Sequence, residues 1–181
     1  MATIGDGGRV WEVAPASVHD PDAVGLLRGY YVEVADRYRL LYLGRRSTAA
    51  EIEKGLAADS VEDLVPPRGL FLVGRCAGVP AGCVGLRLFG DGVIEDGVIE
   101  DGVIELARVF VRTRWRGTGG GAELLAAAEE AAAGLGGTRI VLDTRSDLVE
   151  ARALYRRNGY SEIAPYNRNK HAEIWFGKEL A

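Results

Sequence analysis

The sequence predicts an α/β (α+β) fold, a single mixed β-sheet with helices on both faces, in one domain over residues 1–181. Three observations predict it. Segments with helical apolar spacing alternate irregularly with short apolar runs, in the order β-α-α-β-β-β-α-β-α-β-β, which belongs to neither an all-helical nor a strictly alternating chain. No Pro-rich or Ser-rich linker divides the 181 residues, and 48% hydrophobic content is enough for one sizeable core. An apolar strand around Val109 to Val111 runs into a basic, glycine-rich turn that opens a helix.

The elements follow in order. Val10 to Val13 reads as a first strand. Val24, Leu27, Tyr31, Val34, Ala35 and Tyr38 then recur at three- and four-residue spacing, the mark of an amphipathic helix. Thr48-Ala49-Ala50-Glu51 has capping-box form and starts a second helix, with Ile52 and Leu56 on one face. Gly69 to Val73 and Cys83 to Phe89 read as hairpin strands joined by the turn-rich Ala77 to Gly82. Leu106 to Val111 is the next strand, and Leu124, Ala128, Ala131 and Leu135 stripe the helix after the glycine turn. Arg139 to Leu142 reads as a short buried strand. Asp147 and Glu150 form an aspartate capping box for a helix over 148–158, which Gly159 stops in the left-handed conformation. Ser161 to Ala164 and Ala172 to Lys178 complete the strands.

A perfect repeat interrupts this pattern. Asp91-Gly92-Val93-Ile94-Glu95 recurs identically at 96–100 and 101–105, a period too short for a solenoid unit. Residues 91–105 therefore read as an inserted loop that extends a hairpin, with weakly specified register and high mobility. Asp91, Glu95, Asp96, Glu100, Asp101 and Glu105 gather six carboxylates there. Two readings stand: an acidic flap that attracts a cationic substrate, or a solvated duplication without function.

Composition excludes several function classes. A net charge of −4 argues against a protein that coats nucleic acid. No apolar run approaches the ~20 residues that span a bilayer, and Met1 to Val13 lacks the basic and apolar regions of a signal peptide, so a cytoplasmic protein without a membrane partner is expected. Cys76 and Cys83 are too few for a disulfide framework and read as small buried hydrophobes, with pairing across the hairpin as the alternative. His19 and His171 sit in no triad signature, and the cysteine and histidine spacings make no metal site, so no metal is expected.

The glycine turn carries the chemistry. In Gly117-Thr118-Gly119-Gly120-Gly121-Ala122, glycines leave backbone N–H groups unobstructed, and the following helix adds its own amides and positive dipole end. A phosphate or pyrophosphate is the natural guest, with Arg114 and Arg116 adding positive charge beside it. A turn whose glycines merely allow close packing is one alternative. Another is a dinucleotide site, since the segment also fits G-x-G-x-x-A with Asp143 at about the distance of a ribose-binding acid. Against that, Arg112 to Arg116 separate strand from glycine, and only 60 residues remain after Gly121.

These residues resemble a known family. Arg116 to Gly121 resembles the R/Q-x-x-G-x-G/A turn of the GNAT acyl-CoA N-acyltransferases, Glu105 to Val111 is similar to the family's fourth strand, and Ala151 to Tyr160 resembles its A-x-x-LY-x-x-x-GY/F helix ending. The segment from Tyr166-Asn167 through Trp175-Phe176 to Leu180 resembles, more loosely, C-terminal strands of small bacterial members. Where many members carry Asn three residues before the helix alanine, this chain has Leu148.

The resemblance implies a mostly antiparallel sheet with splayed central parallel strands, and transfer of acetyl from acetyl-CoA to a primary amine of a small molecule or peptide in a ternary complex. It places the pyrophosphate on amides of Gly117, Thr118, Gly119, Gly120, Gly121 and Ala122, and the pantetheine along Val109, Phe110 and Val111 as an added strand. Glu105 would serve as base, sharing in regular alternation an apolar face with Ala107, Val109 and Val111 that would raise its pKa, unless a bulge turns it away. A solvated loop-end carboxylate is its other reading. Tyr155 would protonate the leaving thiolate, against the alternative of a core aromatic. Tyr30, Tyr31, Tyr38, Tyr42, Trp175 and the acidic repeat would wall the acceptor site, the repeat hinting at a cationic acceptor. A non-catalytic acyl-CoA sensor is the remaining reading, and monomer or homodimer is left open.

Overall fold

The computed structural model describes residues 3–5, 9–88, 93–94, 97–98 and 101–181. Strands β1 (Thr3–Gly5) and β2 (Arg9–Pro15) lead to helices α1 (Pro21–Leu43) and α2 (Ala49–Ala58), and then to the hairpin β3 (Gly69–Cys76) and β4 (Val79–Leu88). A two-residue pair, β5 (Val93–Ile94) and β6 (Gly97–Val98), precedes β7 (Val103–Val111), α3 (Gly120–Gly134), β8 (Arg139–Thr144), α4 (Val149–Arg157), β9 (Ser161–Ile163) and β10 (Ile174–Glu179). Eight strands form one sheet in the order β1-β2-β3-β4-β7-β8-β10-β9. Among the described residues its one parallel pair is β7 with β8; every other ladder is antiparallel.

Two apolar layers sandwich the sheet. On one face Leu124, Leu125, Ala128 and Ala132 of α3 and Tyr155 of α4 bury against Leu72, Val84, Leu86, Leu106, Ile140 and Leu142. On the other, Ala23 and Leu26 of α1 and Leu64 of a 3-10 turn pack on Phe71, Val73 and Cys83. Each strand thus sends alternate residues to opposite layers. No helix among the described residues is long and apolar enough to cross a membrane.

Local chemistry explains the ends of the elements, with two departures from expectation. The capping box at α2 forms: the Glu51 amide donates to Thr48 Oγ1 at 3.2 Å, and the Thr48 amide donates to the Glu51 carboxylate at 2.8 Å. Gly159 stops α4 at φ 87°. The Asp147–Glu150 box does not form, because both acids have arginines to meet: Asp147 takes Arg145 at 2.8 Å and Glu150 takes Arg37, leaving Leu148 as the N-cap without a side-chain bond. The β3–β4 hairpin is also longer than the sequence reading. Ala77 and Gly78 alone make the turn, at φ 51° and 77°, while Pro80 pairs at the register shift beside Arg75, where the ladder is already interrupted.

Cys76 and Cys83 are buried and unpaired; across the ladder they face Val79 and Val73. Within the repeat, β5 and β6 pair, and the third copy supplies the start of β7. Asp91, Glu95, Asp96 and Glu100, and the expected mobility of that loop, lie outside the described residues.

Candidate active site

The parallel ladder between β7 and β8 is short. It joins Val103 to Arg139, Ile104 to Ile140 and Glu105 to Val141 and then ends, although the strands continue to Val111 and Thr144. Just beyond, β7 carries a bulge: Arg108 has φ 56°, and the register with β4 shifts between Cys83–Phe110 and Gly85–Ala107. A bulge bends its strand, and here β7 leaves β8. The gap opens into a cleft of about 1240 Å³ bounded by α1, β7, the glycine turn, Asp143 and Tyr155.

At one end lies the turn before α3. Gly117 and Gly119 hold φ 75° and 88°, with open space where a side chain would stand. Among the described residues, no protein carbonyl or side chain accepts from the amides of residues 117–122, a row of donors at a helix N-terminus, and all of these residues except Thr118 line the cleft. Gly120 and Gly121 serve packing: a Cβ at 120 would overlap the Trp11 ring, and one at 121 would lie 2.9 Å from Leu154. Thr118 is a pin, its hydroxyl donating to the Trp115 carbonyl at 2.6 Å and accepting the Trp11 indole N–H at 3.0 Å.

The two arginines behave differently from the amides. Arg116 lines the cleft but is committed, Nε donating to the Val111 carbonyl at 2.9 Å and the guanidinium meeting Glu33 on α1 at 2.5 Å. Arg114 is exposed outside the cleft, stacked on Trp115 at 5.1 Å. Because the Arg112 amide bonds Ala81 on β4 at 2.8 Å, the Val111 carbonyl in the same peptide turns the opposite way, where Arg116 holds it.

The bulge also corrects the expected alternation. Cys83 pairs with Phe110 and Gly85 with Ala107, so Phe110 shares the α1 face with Ala107 and Glu105, while Val109 and Val111 pack into the α3 layer with Leu106. The setting of Glu105 is polar instead. Its side chain is buried, with Oε2 3.0 Å from the Arg87 guanidinium and Oε1 accepting the Tyr166 hydroxyl at 2.8 Å. Arg87 also meets Asp63. Burial, and then the Glu105 charge, push the Tyr166 phenol pKa up.

Tyr155 borders the gap, 6% exposed, its ring against Phe176 and Tyr160. Burial above all, then Tyr30 and Asp143, push its pKa up, so the phenol stays protonated. Tyr30 is raised too, chiefly by burial; Arg108, paired to Asp59 at 2.7 Å, lies over its ring. Tyr30, Tyr31 and Tyr38 line the cleft. Tyr42 and Trp175 do not: Tyr42 stacks outside on Tyr38, and Trp175 donates its indole N–H to Asn167.

Sequence reasoning missed Arg87, Arg108, Tyr166, Asn167 and Asn169. Arg87 meets Glu105 only through the β4–β7 register, which no local pattern reveals. Tyr166 lies 61 residues from Glu105 and had no local signal either.

Comparison with known proteins bears on this site. The family model described as the Acetyltransferase (GNAT) family matches residues 22–160, which include the bulged strand, the glycine turn and α4. An uncharacterized N-acetyltransferase of Schizosaccharomyces pombe is 33% identical over 105 residues, covering 58% of this chain and 59% of that protein, so the match spans less than two thirds of the relative. Among solved structures, the GNAT domain of S. lividans PAT superposes with TM-score 0.65 at 16% identity, covering 99% of this chain and 96% of that one. An acetyltransferase of the GNAT family from Staphylococcus aureus Mu50 gives 0.63 at 14%, covering 94% and 99%. The aminoglycoside acetyltransferase AAC(6')-Ib, solved in complex with coenzyme A, gives 0.64 at 17%, covering 93% and 94%. At such identities the structural likeness speaks for the fold.

Proposed function

This chain belongs to the acetyltransferase (GNAT) family, and from that membership we propose that it moves an acetyl group from acetyl-CoA directly to a primary amine of a small molecule or peptide, both substrates occupying the cleft together. The observation that carries the reading is the row of amides at residues 117–122 that have no acceptor among the described residues, at the mouth of a gap that the protonated Tyr155 borders. A diphosphate has the charge and oxygen count to take those amides. Gly117 and Gly119 leave it room; Arg116 is paired with Glu33 and Arg114 lies outside the cleft, so the backbone amides carry this contact. The edge of β7 at Val109, Phe110 and Val111 receives the pantetheine arm as an added strand.

Acetyl-CoA supplies the thioester. As the carbon–nitrogen bond forms and the carbon–sulfur bond breaks, Tyr155 donates its hydroxyl proton to the departing sulfur, and the proton that the newly bonded nitrogen then loses returns to the Tyr155 oxygen, so the phenol is restored for the next turnover. The amine, with an ordinary pKa near ~10.4, must shed a proton before it attacks. Glu105 stands at the closed end of the splay with both oxygens engaged, so it receives that proton through an intervening water rather than by direct contact. The dinucleotide alternative loses its support from the sheet, which holds one parallel pair among the described residues instead of a doubly wound array.

Thermal unfolding with acetyl-CoA and with nicotinamide dinucleotides, side by side, tests the reading. At a hundredfold excess over its dissociation constant, acetyl-CoA should stabilise the protein by ~2.7 kcal/mol while the dinucleotides leave it unchanged. Mass spectrometry of an amine panel should show a gain of one acetyl group. No stabilisation by acetyl-CoA overturns the proposal.

A further inference from the structure

Six carboxylates line the cleft, and five of them already have an arginine. Glu33 meets Arg116 at 2.5 Å, Glu51 meets Arg45 at 2.9 Å, Asp59 meets Arg108 at 2.7 Å, Glu105 meets Arg87 at 3.0 Å and Glu150 meets Arg37 at 2.8 Å. Asp143 differs. It accepts the Asn167 amide at 2.6 Å and the Asn169 amide at 3.1 and 3.3 Å, and among the described residues no cation pairs with it.

This bracket is built. The Trp175 indole N–H, which can only donate, takes Asn167 Oδ1 at 2.9 Å, and the His171 amide takes Asn169 Oδ1 at 3.1 Å. Both side-chain amides are therefore oriented with NH₂ toward Asp143. On β8, Asp143 lies two residues past Val141, the last to pair with β7, and thus within the splay. Its charge is among the influences, after burial, that keep Tyr155 and Tyr30 protonated, which sets it close to the proposed acid.

Neutral donors orient a carboxylate without cancelling its charge. Two asparagine amides also leave lone pairs unused, since a carboxylate offers about four acceptor sites. A cation entering the cleft meets its complement at Asp143 without breaking an existing ion pair, whereas at any of the other five it must displace an arginine.

We infer that Asp143 is the residue that receives the ammonium group of the acceptor, so that the acceptors of this protein are amines that arrive as cations. The inference rests on the acetyl-transfer reading and deepens it by naming the substrate class and the residue that selects it.

The test measures acetyl transfer from acetyl-CoA by wild type, Asp143→Asn and Asp143→Glu to spermidine, kanamycin, a lysine-bearing peptide and the neutral arylamine p-anisidine. For the cationic acceptors that wild type uses, Asp143→Asn should raise KM by about ten- to a hundredfold, with Asp143→Glu recovering most of the loss. The acetyl-CoA KM and its thermal shift should hold in all three proteins, which separates lost recognition from lost folding, and any KM for p-anisidine should change less than the KM for the cations. Transfer to cations by Asp143→Asn with unchanged KM overturns the inference. So does acetyl-CoA binding without transfer to any cationic amine of the panel. Absence of acetyl-CoA binding to wild type brings down the underlying reading instead, and the thermal shift reports that case separately.

Discussion

Arg87 and Glu105 face each other directly across the β4–β7 ladder, guanidinium and carboxylate 3.0 Å apart, with only 8% of the Glu105 side chain exposed. The pair sits where the parallel strands stop pairing, so it shapes the closed end of the cleft. Removing one partner strands a buried charge, which costs more than the intact pair contributes. Arg87→Met should lower the unfolding free energy by about 3 kcal/mol, read from the urea midpoint. Adding Glu105→Gln to that variant should restore more than half of the loss. If the double variant is less stable than Arg87→Met, the stranded charge is not the cause.

Tyr155 tests the chemistry at the gap. Tyr155→Phe keeps the ring packing against Phe176 and Tyr160 and removes only the hydroxyl. With an acceptor for which chemistry limits turnover, kcat should fall about 100-fold while the KM for acetyl-CoA and the melting temperature stay close to wild type. An unchanged kcat removes Tyr155 from the mechanism.

Two glycines of one turn should fail in different ways. At Gly117 a methyl meets nothing within 4 Å but must adopt φ 75°, so Gly117→Ala should cost about 1–2 kcal/mol. At Gly120 a methyl collides with the buried Trp11 ring, which is 1% exposed and has nowhere to go. Gly120→Ala should cost about 3 kcal/mol and also weaken acetyl-CoA binding, because the ring and the helix start must move apart. Denaturant unfolding that ranks the two in the opposite order contradicts the packing role of Gly120.

Acid should weaken the fold through named carboxylates. A hydrogen bond from Arg37 first, then a backbone N–H, hold Glu150 at about 2; a hydrogen bond from Arg45, then the Thr48 amide, do the same for Glu51. Both lie below the ordinary value of 4.5, so their contribution to stability is complete above that pH and is lost as the pH falls toward 2. Carboxyl titration followed by NMR should show Glu150 returning toward the ordinary range in Arg37→Gln. A Glu51→Gln/Glu150→Gln variant should lose less melting temperature than wild type between pH 4.5 and pH 2. Equal losses in both proteins place the acid sensitivity elsewhere.

Several features were legible because their causes lie within a few residues of chain. The α2 box is written in Thr48 and Glu51, the α4 stop in Gly159, and the donor row in the glycines from 117 to 121, since cap chemistry and the left-handed backbone need only neighbours. The same local logic misjudged Asp147 and Glu150. Their arginine partners, one two residues away and the other on α1 113 residues distant, outcompeted the helix amides.

By itself, then, the order of residues determined the mixed sheet, its helices and longer strands and the open glycine turn, all of them products of short-range periodicity and backbone preference, while the short strands β1, β5 and β6 were not legible in it. The tertiary structure decided which side chains meet in the cleft. One extra residue at Arg108 turns Val109 and Val111 away from the face of Glu105, and the loop after β9 delivers Tyr166 to Glu105 and two asparagines to Asp143. Strand parity after a bulge and charge pairing between distant segments depend on how ladders register and layers close. No stretch of neighbouring residues contains that information.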